Sequence, residues 1–281
     1  MSSITHKIFN LNGFKKIVDG RDALYVALST DTYIGRSIIE YGEFSQAEFA
    51  LIQQLITPGC FVAEVGANIG SHSVRIAKHI GTLGRLVAIE PQPVLFQCMA
   101  ATMALNNITN VDCWPYALSS SRGKINLPEI DYNETRNFGS LSLIDIPEGK
   151  INIPQHRFDD IYLYDRLDLL KVDVEGMELD VLKGAANCIA RFCPKIYIEN
   201  DRRENSPALI EWLFNQDYRL WWHTPPLFNA DNYFENPKNY FKDIVSINMI
   251  CVHKSISTNF DANEIIDINE FPEITDISDK K

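Results

Sequence analysis

No two of the six cysteines (Cys60, Cys98, Cys113, Cys188, Cys193 and Cys251) stand at CxxC spacing, and no His/Cys group has the spacing of a zinc site. The thiols therefore read as small buried hydrophobes in a reducing compartment and not as zinc ligands or disulfide staples. No stretch approaches the roughly 18 consecutive apolar residues that a membrane-spanning helix needs. The N-terminal MSSITHKIFNLNGFKK has no apolar core of the kind a secretory signal carries. Basic residues are scarce, 26 against 37 acidic, for a formal net charge of -11. Nucleic-acid binding needs stripes of Lys and Arg, so it is not expected, and a small molecule or a glycan is the better partner. The expectation at this level is a cytoplasmic enzyme.

What is present is enough apolar sequence, 46% of 281 residues, to bury one sizeable core. Up to residue 43 the chain is mixed, with a short strand at ALYVAL (23–28). SQAEFALIQQLI (45–56) reads as a helix, with Ser45 and Glu48 in capping-box spacing. From residue 60 short Val- and Ile-rich runs alternate with helical patterns. CFVAEVG, RLVAIEP, VDCWPYAL, LDLLKVDVEG, PKIYIEN, YRLWWH and SINMICVH read as strands, with KINLPEI a further short one. SHSVRIAKHIG, VLFQCMAATMALNN, ELDVLKGAANCIARF and SPALIEWLFNQ read as helices. This alternation predicts an α/β fold with a doubly wound, mostly parallel sheet and helices on both faces. Two irregular stretches, 128–158 and 224–243, interrupt it and are candidates for functional loops. The division expected is an N-terminal extension (1–43), a catalytic domain (44–255) and an acidic, unstructured tail (256–281) with acids at every third position from Asp261 to Asp279.

Three segments carry chemistry. Glu64-Val65-Gly66-Ala67-Asn68-Ile69-Gly70 follows a strand and opens a helix, so its glycines let backbone approach a ligand beside free helix N–H groups. The spacing is GxxxG and not the GxGxxG of a dinucleotide fold, and Glu64 would repel a pyrophosphate but attract an ammonium. Glu90 closes the next strand, where an acid can accept both ribose hydroxyls. Tyr116 and Ala117, after the following strand, are candidates to flank an adenine. A ribose site without a phosphate fingerprint favours S-adenosylmethionine over a nicotinamide dinucleotide. Lys171-Val172-Asp173-Val174-Glu175-Gly176 ends a further strand, where open α/β sheets bind ligands; helix capping by Asp173 or Glu175 is the structural alternative.

VGANIG, the strand end IEP, LLKVDVEGMELDVLKGA and IYIEN together resemble the FkbM family of S-adenosylmethionine-dependent methyltransferases, from about Tyr41 to Cys251. The most specific part is KVDVEG followed by ELDVLKGA. The resemblance implies a Rossmann-like, seven-stranded sheet with an antiparallel last strand, and methylation of hydroxyls, often on sugars or natural products. It also implies that Gly139-Ser140-Leu141-Ser142-Leu143 approaches cofactor or acceptor.

Methyl transfer to a hydroxyl needs a group to take its proton. Asp173, Glu175 and His223 are the candidates, with Lys171 beside them. Asp173, Glu199 and Asn200, at neighbouring strand ends, offer oxygen ligands suited to Mg²⁺. Trp221, Trp222, Phe228, Tyr233, Phe234, Tyr240 and Phe241, interleaved with Asn229, Asn232, Asn236 and Asn239, read as a glycan lid or as ordinary packing. A lid would make alanine at both tryptophans weaken acceptor binding while cofactor affinity holds. The remaining readings are a methyltransferase for a non-sugar natural product, a lipid or a protein, and a nucleoside-binding module without catalysis.

Overall fold

The structure, a computed structural model, describes residues 8–140, 150–258, 260 and 262–273. Three antiparallel strands come first: β1 (Ile8–Asn10), β2 (Lys15–Asp19) and β3 (Leu24–Leu28). Two helices follow, α1 (Ile34–Tyr41) and α2 (Gln46–Leu55). The alternating part then runs β4 (Phe61–Val65), α3 (Ser73–Ile80), β5 (Arg85–Ile89), α4 (Pro93–Leu105) and β6 (Val111–Trp114). Next come β7 (Ala117–Leu118), β8 (Gly123–Leu127), β9 (Ile151–His156) and α5 (Phe158–Ile161). The chain continues through β10 (Leu169–Val172), α6 (Glu178–Gly184), α7 (Ala186–Phe192), β11 (Lys195–Glu199), α8 (Ser206–Asn215), β12 (Tyr218–His223), β13 (Asn248–His253) and β14 (Glu264–Ile265).

The main sheet has the order β14-β12-β13-β11-β10-β4-β5-β6. β4 pairs in parallel with both β5 and β10, while β13 lies antiparallel between β11 and β12. This is the doubly wound, Rossmann-like sheet with an antiparallel strand from the last long run, but with eight strands and not the seven expected, because the short β14 adds an edge beside β12. The strand order reverses between β4 and β10, which opens a crevice at their carboxyl ends. Alternate strand residues feed two cores. Val62, Leu86 and Leu169 pack with α2, α3, α4 and β3, while Ala63, Val87, Leu170 and Ile196 pack with α5 to α8.

Several local features differ from the sequence reading, each for a physical reason. The N-terminal extension is built into the first layer: Val26 N–H donates to Thr102 Oγ1 and Leu24 N–H to Asn106 Oδ1 on α4. Ser45 has φ 42° and its hydroxyl donates to Glu48 Oε2 at 3.0 Å, so α2 has no side-chain N-cap. VDCWPYAL divides at Pro115 into β6 and β7, which belong to different sheets. β9, in the stretch read as irregular, pairs with β7 and β8; its INIPQH pattern, with a proline, hid it. ELDVLKGAANCIARF is two helices, parted at Ala185 where φ is -106°. The acidic segment contributes an edge strand, β14, because Ile265 is buried and Glu264 pairs with Arg219 at 2.6 Å. Its residues 274–281, and Asp261, lie outside the described residues. No helix among the described residues is long and apolar enough to cross a membrane.

Candidate active site

The switch-point crevice holds a cavity of about 440 Å³ lined by the glycine turn, Glu90, Lys171, Asp173, Glu175 and Glu199. The turn's shape is fixed by its glycines. Gly66 has φ +85° and a Cβ there would meet the Asp173 carbonyl; Gly70 has φ +79° and packs on Met99 and Met103 of α4. Gly66 and Ala67 donate their N–H groups to Ile89 O at 2.9 and 3.0 Å, tying the turn to β5. The Glu90 carboxylate is held by two backbone donors, Asn68 N–H at 2.9 Å and Gln92 N–H at 2.8 Å. Burial pushes its pKa up to about 7, against those two hydrogen bonds.

Glu64 is 1% exposed and accepts from the Ser73 hydroxyl, with Lys171 Nζ 3.7 Å away. Lys171 is also buried and lies 3.3 Å from Asp173 Oδ2. Burial works against its ammonium, but the charges of Asp173, Glu64 and Glu48 outweigh that and raise its pKa. Glu175 sits in a left-handed backbone conformation, φ 57°, and accepts from Arg202 Nη2 at 2.9 Å. Burial, then Asp173 and Asp201, push its pKa up to about 8. Glu199 is raised well above the usual carboxylate range by burial and by Asp173 and Glu175. Oxygens of Asp173, Glu175 and Glu199 all lie within 4.8 Å of one another.

Tyr116 and Ala117 line a narrower cavity with Val174 and Met177, and it shares Gly66, Glu90, Gln92, Gly139, Asp173 and Glu175 with the first. The two are one continuous cleft. Gly139 and Ser140 line it as well, and a Cβ on Gly139 would come 3.1 Å from Asn68 Nδ2. Leu141, Ser142 and Leu143 lie outside the described residues.

Three expectations are corrected. Asn200 turns away from the acids: its Nδ2 donates to Ser206 Oγ at 2.8 Å and to Met249 Sδ, and it borders a separate groove between α6 and α8. His223 does not line the cleft. Its Nδ1 is 2.8 Å from the Tyr197 hydroxyl, and burial lowers its pKa to about 4. The aromatic lid is packing. Trp221 is 2% exposed against Phe260, Trp222 meets Phe271, and Phe228, Tyr240 and Phe241 pack around Tyr41 of α1. The asparagines there hold the loop, as Asn229 Nδ2 to Glu43 Oε1 at 2.7 Å and Asn236 Nδ2 to Glu40 O at 3.1 Å illustrate.

Other cleft residues carried no sequence signal. Glu48, read only as a helix cap, lines the cavity, and burial pushes its pKa up to about 7. His72, 3.8 Å from Glu48, is kept neutral by burial and by Lys171 and Arg75. His72 Nε2 and Gln92 Oε1 are buried and have no hydrogen-bond partner among the described residues, and both residues line the cleft. Buried polar atoms left open around a cavity are what a polar ligand completes.

The fold and the cleft define a doubly wound α/β protein with a buried acid, Glu90, beside a glycine turn at the sheet's switch point. Residues 64–220, more than half of the chain, match the Methyltransferase FkbM domain. The chain belongs to this family of S-adenosylmethionine-dependent methyltransferases. It is similar to methyltransferase sdnD of Sordaria araneosa, 32% identical over 155 residues, covering 44% of this chain and 60% of that protein. Methyltransferase 1 of Beauveria bassiana (strain ARSEF 2860) is 26% identical over 144 residues, covering 44% of this chain and 57% of that one. The match thus spans less than two thirds of the length of these curated relatives. The crystal structure of methyltransferase FkbM from Methylobacillus flagellatus KT superposes with a TM-score of 0.48 at 17% identity, covering 69% of this chain and 44% of that one.

Proposed function

We propose that the chain transfers the methyl group of S-adenosylmethionine to a hydroxyl oxygen of a small-molecule acceptor, on a sugar or glycan. The observation that carries this is the single cleft joining the glycine turn, Glu90 and the Lys171–Glu175 segment. In this reading Glu90 accepts the ribose hydroxyls. The slot beside Tyr116 and Ala117 takes the adenine, and the open polar atoms of Gln92 and His72 serve cofactor and acceptor. The bound sulfonium supplies an electrophilic methyl group. The acceptor oxygen attacks it in line, the C–S electron pair stays on sulfur, and the hydroxyl proton leaves to a base. With His223 outside the cleft and Glu175 protonated near neutrality, Asp173 is that base. Lys171 is the positioning residue that holds its carboxylate.

A cation-assisted version has one observation in its favour, the three close carboxyl oxygens of Asp173, Glu175 and Glu199. Glu175 takes the place first given to Asn200, and a Mg²⁺ there would acidify the acceptor hydroxyl. A panel of sugar acceptors with methyl-labelled S-adenosylmethionine, run with Mg²⁺ and with EDTA, tests both readings. Label in a stable methyl ether supports O-methylation, and turnover unchanged by EDTA removes the metal. Cofactor binding without transfer to any acceptor would favour a binding module without catalysis.

A further inference from the structure

We infer that the acceptor is an uncharged hydroxyl compound, and that Asp201 at the cleft rim turns away phosphorylated, carboxylated and nucleotide-linked ones. This rests on the methyl-transfer reading above.

Beyond the cofactor end, Glu48, Asp173, Glu175, Glu199 and Asp201 line the cavity. Lys171 is the single Lys or Arg in its lining among the described residues, and it is buried between carboxylates. Arg202, outside that lining, is spent on Glu175 at 2.9 Å and on Asp201 at 3.9 Å. Among the described residues no side-chain cation of the cavity lining is therefore left to meet an anionic acceptor. The acids already crowd one another, as the raised pKa values of Glu175 and Asp201 reflect, after burial itself. A phosphate or carboxylate would bring further negative charge into a space that already keeps protons on Glu175 and Glu199, and it would face Asp173 and Asp201 where low dielectric magnifies repulsion. An amine fares no better: beside these acids it stays protonated and has no lone pair to attack with.

The uncharged alternative has positive support of its own. His72 Nε2 and Gln92 Oε1 are buried, uncharged and without a hydrogen-bond partner among the described residues, which suits hydroxyls. Tyr33, Phe44, Leu227 and Ile244 give the same cavity an apolar wall, which suits the C–H face of a ring. Asp201, just past the end of β11, has a side chain 41% exposed, as open as that of Asp173 at 40%, so an incoming acceptor meets it at the mouth of the cavity and not deep inside.

The test uses the full chain with methyl-labelled S-adenosylmethionine and matched acceptors: methyl glucoside, glucose 6-phosphate, glucuronate and UDP-glucose, with the corresponding galactose set. Wild type is compared with Asp201→Asn and Asp201→Lys. The neutral member of each set should exceed its anionic partners at least 100-fold in kcat/KM. Asp201→Lys should narrow that ratio tenfold or more while the cofactor Kd stays within threefold. Anionic acceptors used within threefold of neutral ones, or a ratio untouched by Asp201→Lys, would overturn the inference. If no member is methylated, the same sets are compared by saturation-transfer NMR on the chain loaded with S-adenosylhomocysteine. Equal contact from neutral and anionic sugars, or none from neutral ones, overturns it there. Failure to bind either cofactor form in calorimetry would instead defeat the methyl-transfer reading itself.

Discussion

A Cβ on Gly66 would stand 1.7 Å from the carbonyl oxygen of Asp173, so the glycine turn and the acidic strand end can touch only because residue 66 has no side chain. The contact joins the first and third chemical segments across neighbouring strands β4 and β10. Gly66→Ala must either push β10 away or move the turn out of its φ of +85°. We expect a loss of about 3 kcal/mol of stability from overlap and strain together. Cofactor affinity should fall at least 100-fold. Urea unfolding and calorimetry with S-adenosylmethionine read the two effects; a variant that binds normally would mean the turn is not the cofactor's seat.

Lys171 is the hub of the buried charges. Lys171→Met keeps length and removes the cation, leaving Asp173, Glu64 and Glu48 facing one another. Stripping one partner from a buried ion pair costs roughly 3–5 kcal/mol, and that range is expected in chemical denaturation. In the folded fraction kcat should drop well beyond any change in acceptor KM, because the proton-accepting carboxylate loses its anchor. A rise in KM alone would make Lys171 a binding group.

Much of this was legible in the chain. The alternation of Val- and Ile-rich runs with helical patterns is local information, and it yields the sheet and its helices. Gly66, Gly70, Glu90 and Asp173 sit at strand ends, so their convergence follows from topology. His223 and Asn200 also sit at strand ends, and there the same reasoning fails. Whether a strand-end side chain faces the crevice depends on the last residue's pleat and on neighbours such as Tyr197 and Ser206. Glu48 was invisible because α2 reaches the cleft by a tertiary contact that no spacing encodes, and His72, just before α3, reads from sequence only as the start of a helix. β14 was masked by the acids around it, since a two-residue edge strand anchored by Ile265 leaves almost no periodic signal.

The tryptophans now call for the opposite outcome from a lid. Trp221 is among the largest fully buried side chains. Trp221→Ala should cost about 3–5 kcal/mol, and acceptor and cofactor affinity should fail together as the protein melts. Tyr33 and Phe44 are aromatic groups that line the larger cavity. Tyr33→Ala, at a half-buried position, should raise acceptor KM about tenfold, the loss of roughly one good contact, with cofactor Kd within threefold. Thermal melts beside both titrations separate the two classes.

Glu48 and Glu90 give the ligand-free chain an unusual pH response. Each carboxyl has a folded pKa of about 7, raised chiefly by burial from 4.5. Between those values the native chain holds protons that the unfolded chain has released. Stability therefore falls as pH rises through that window, and the deficit is constant above it. This is the reverse of a salt-bridged carboxylate, whose stabilisation is lost on acidification. Urea midpoints for wild type should drop from pH 5 to pH 7.5, and Glu48→Gln, which carries no titrating proton, should flatten the slope. The difference between the two proteins isolates Glu48 from every other titrating group. A difference that is level across the window would mean that Glu48 ionises normally, and that its carboxyl is open to solvent.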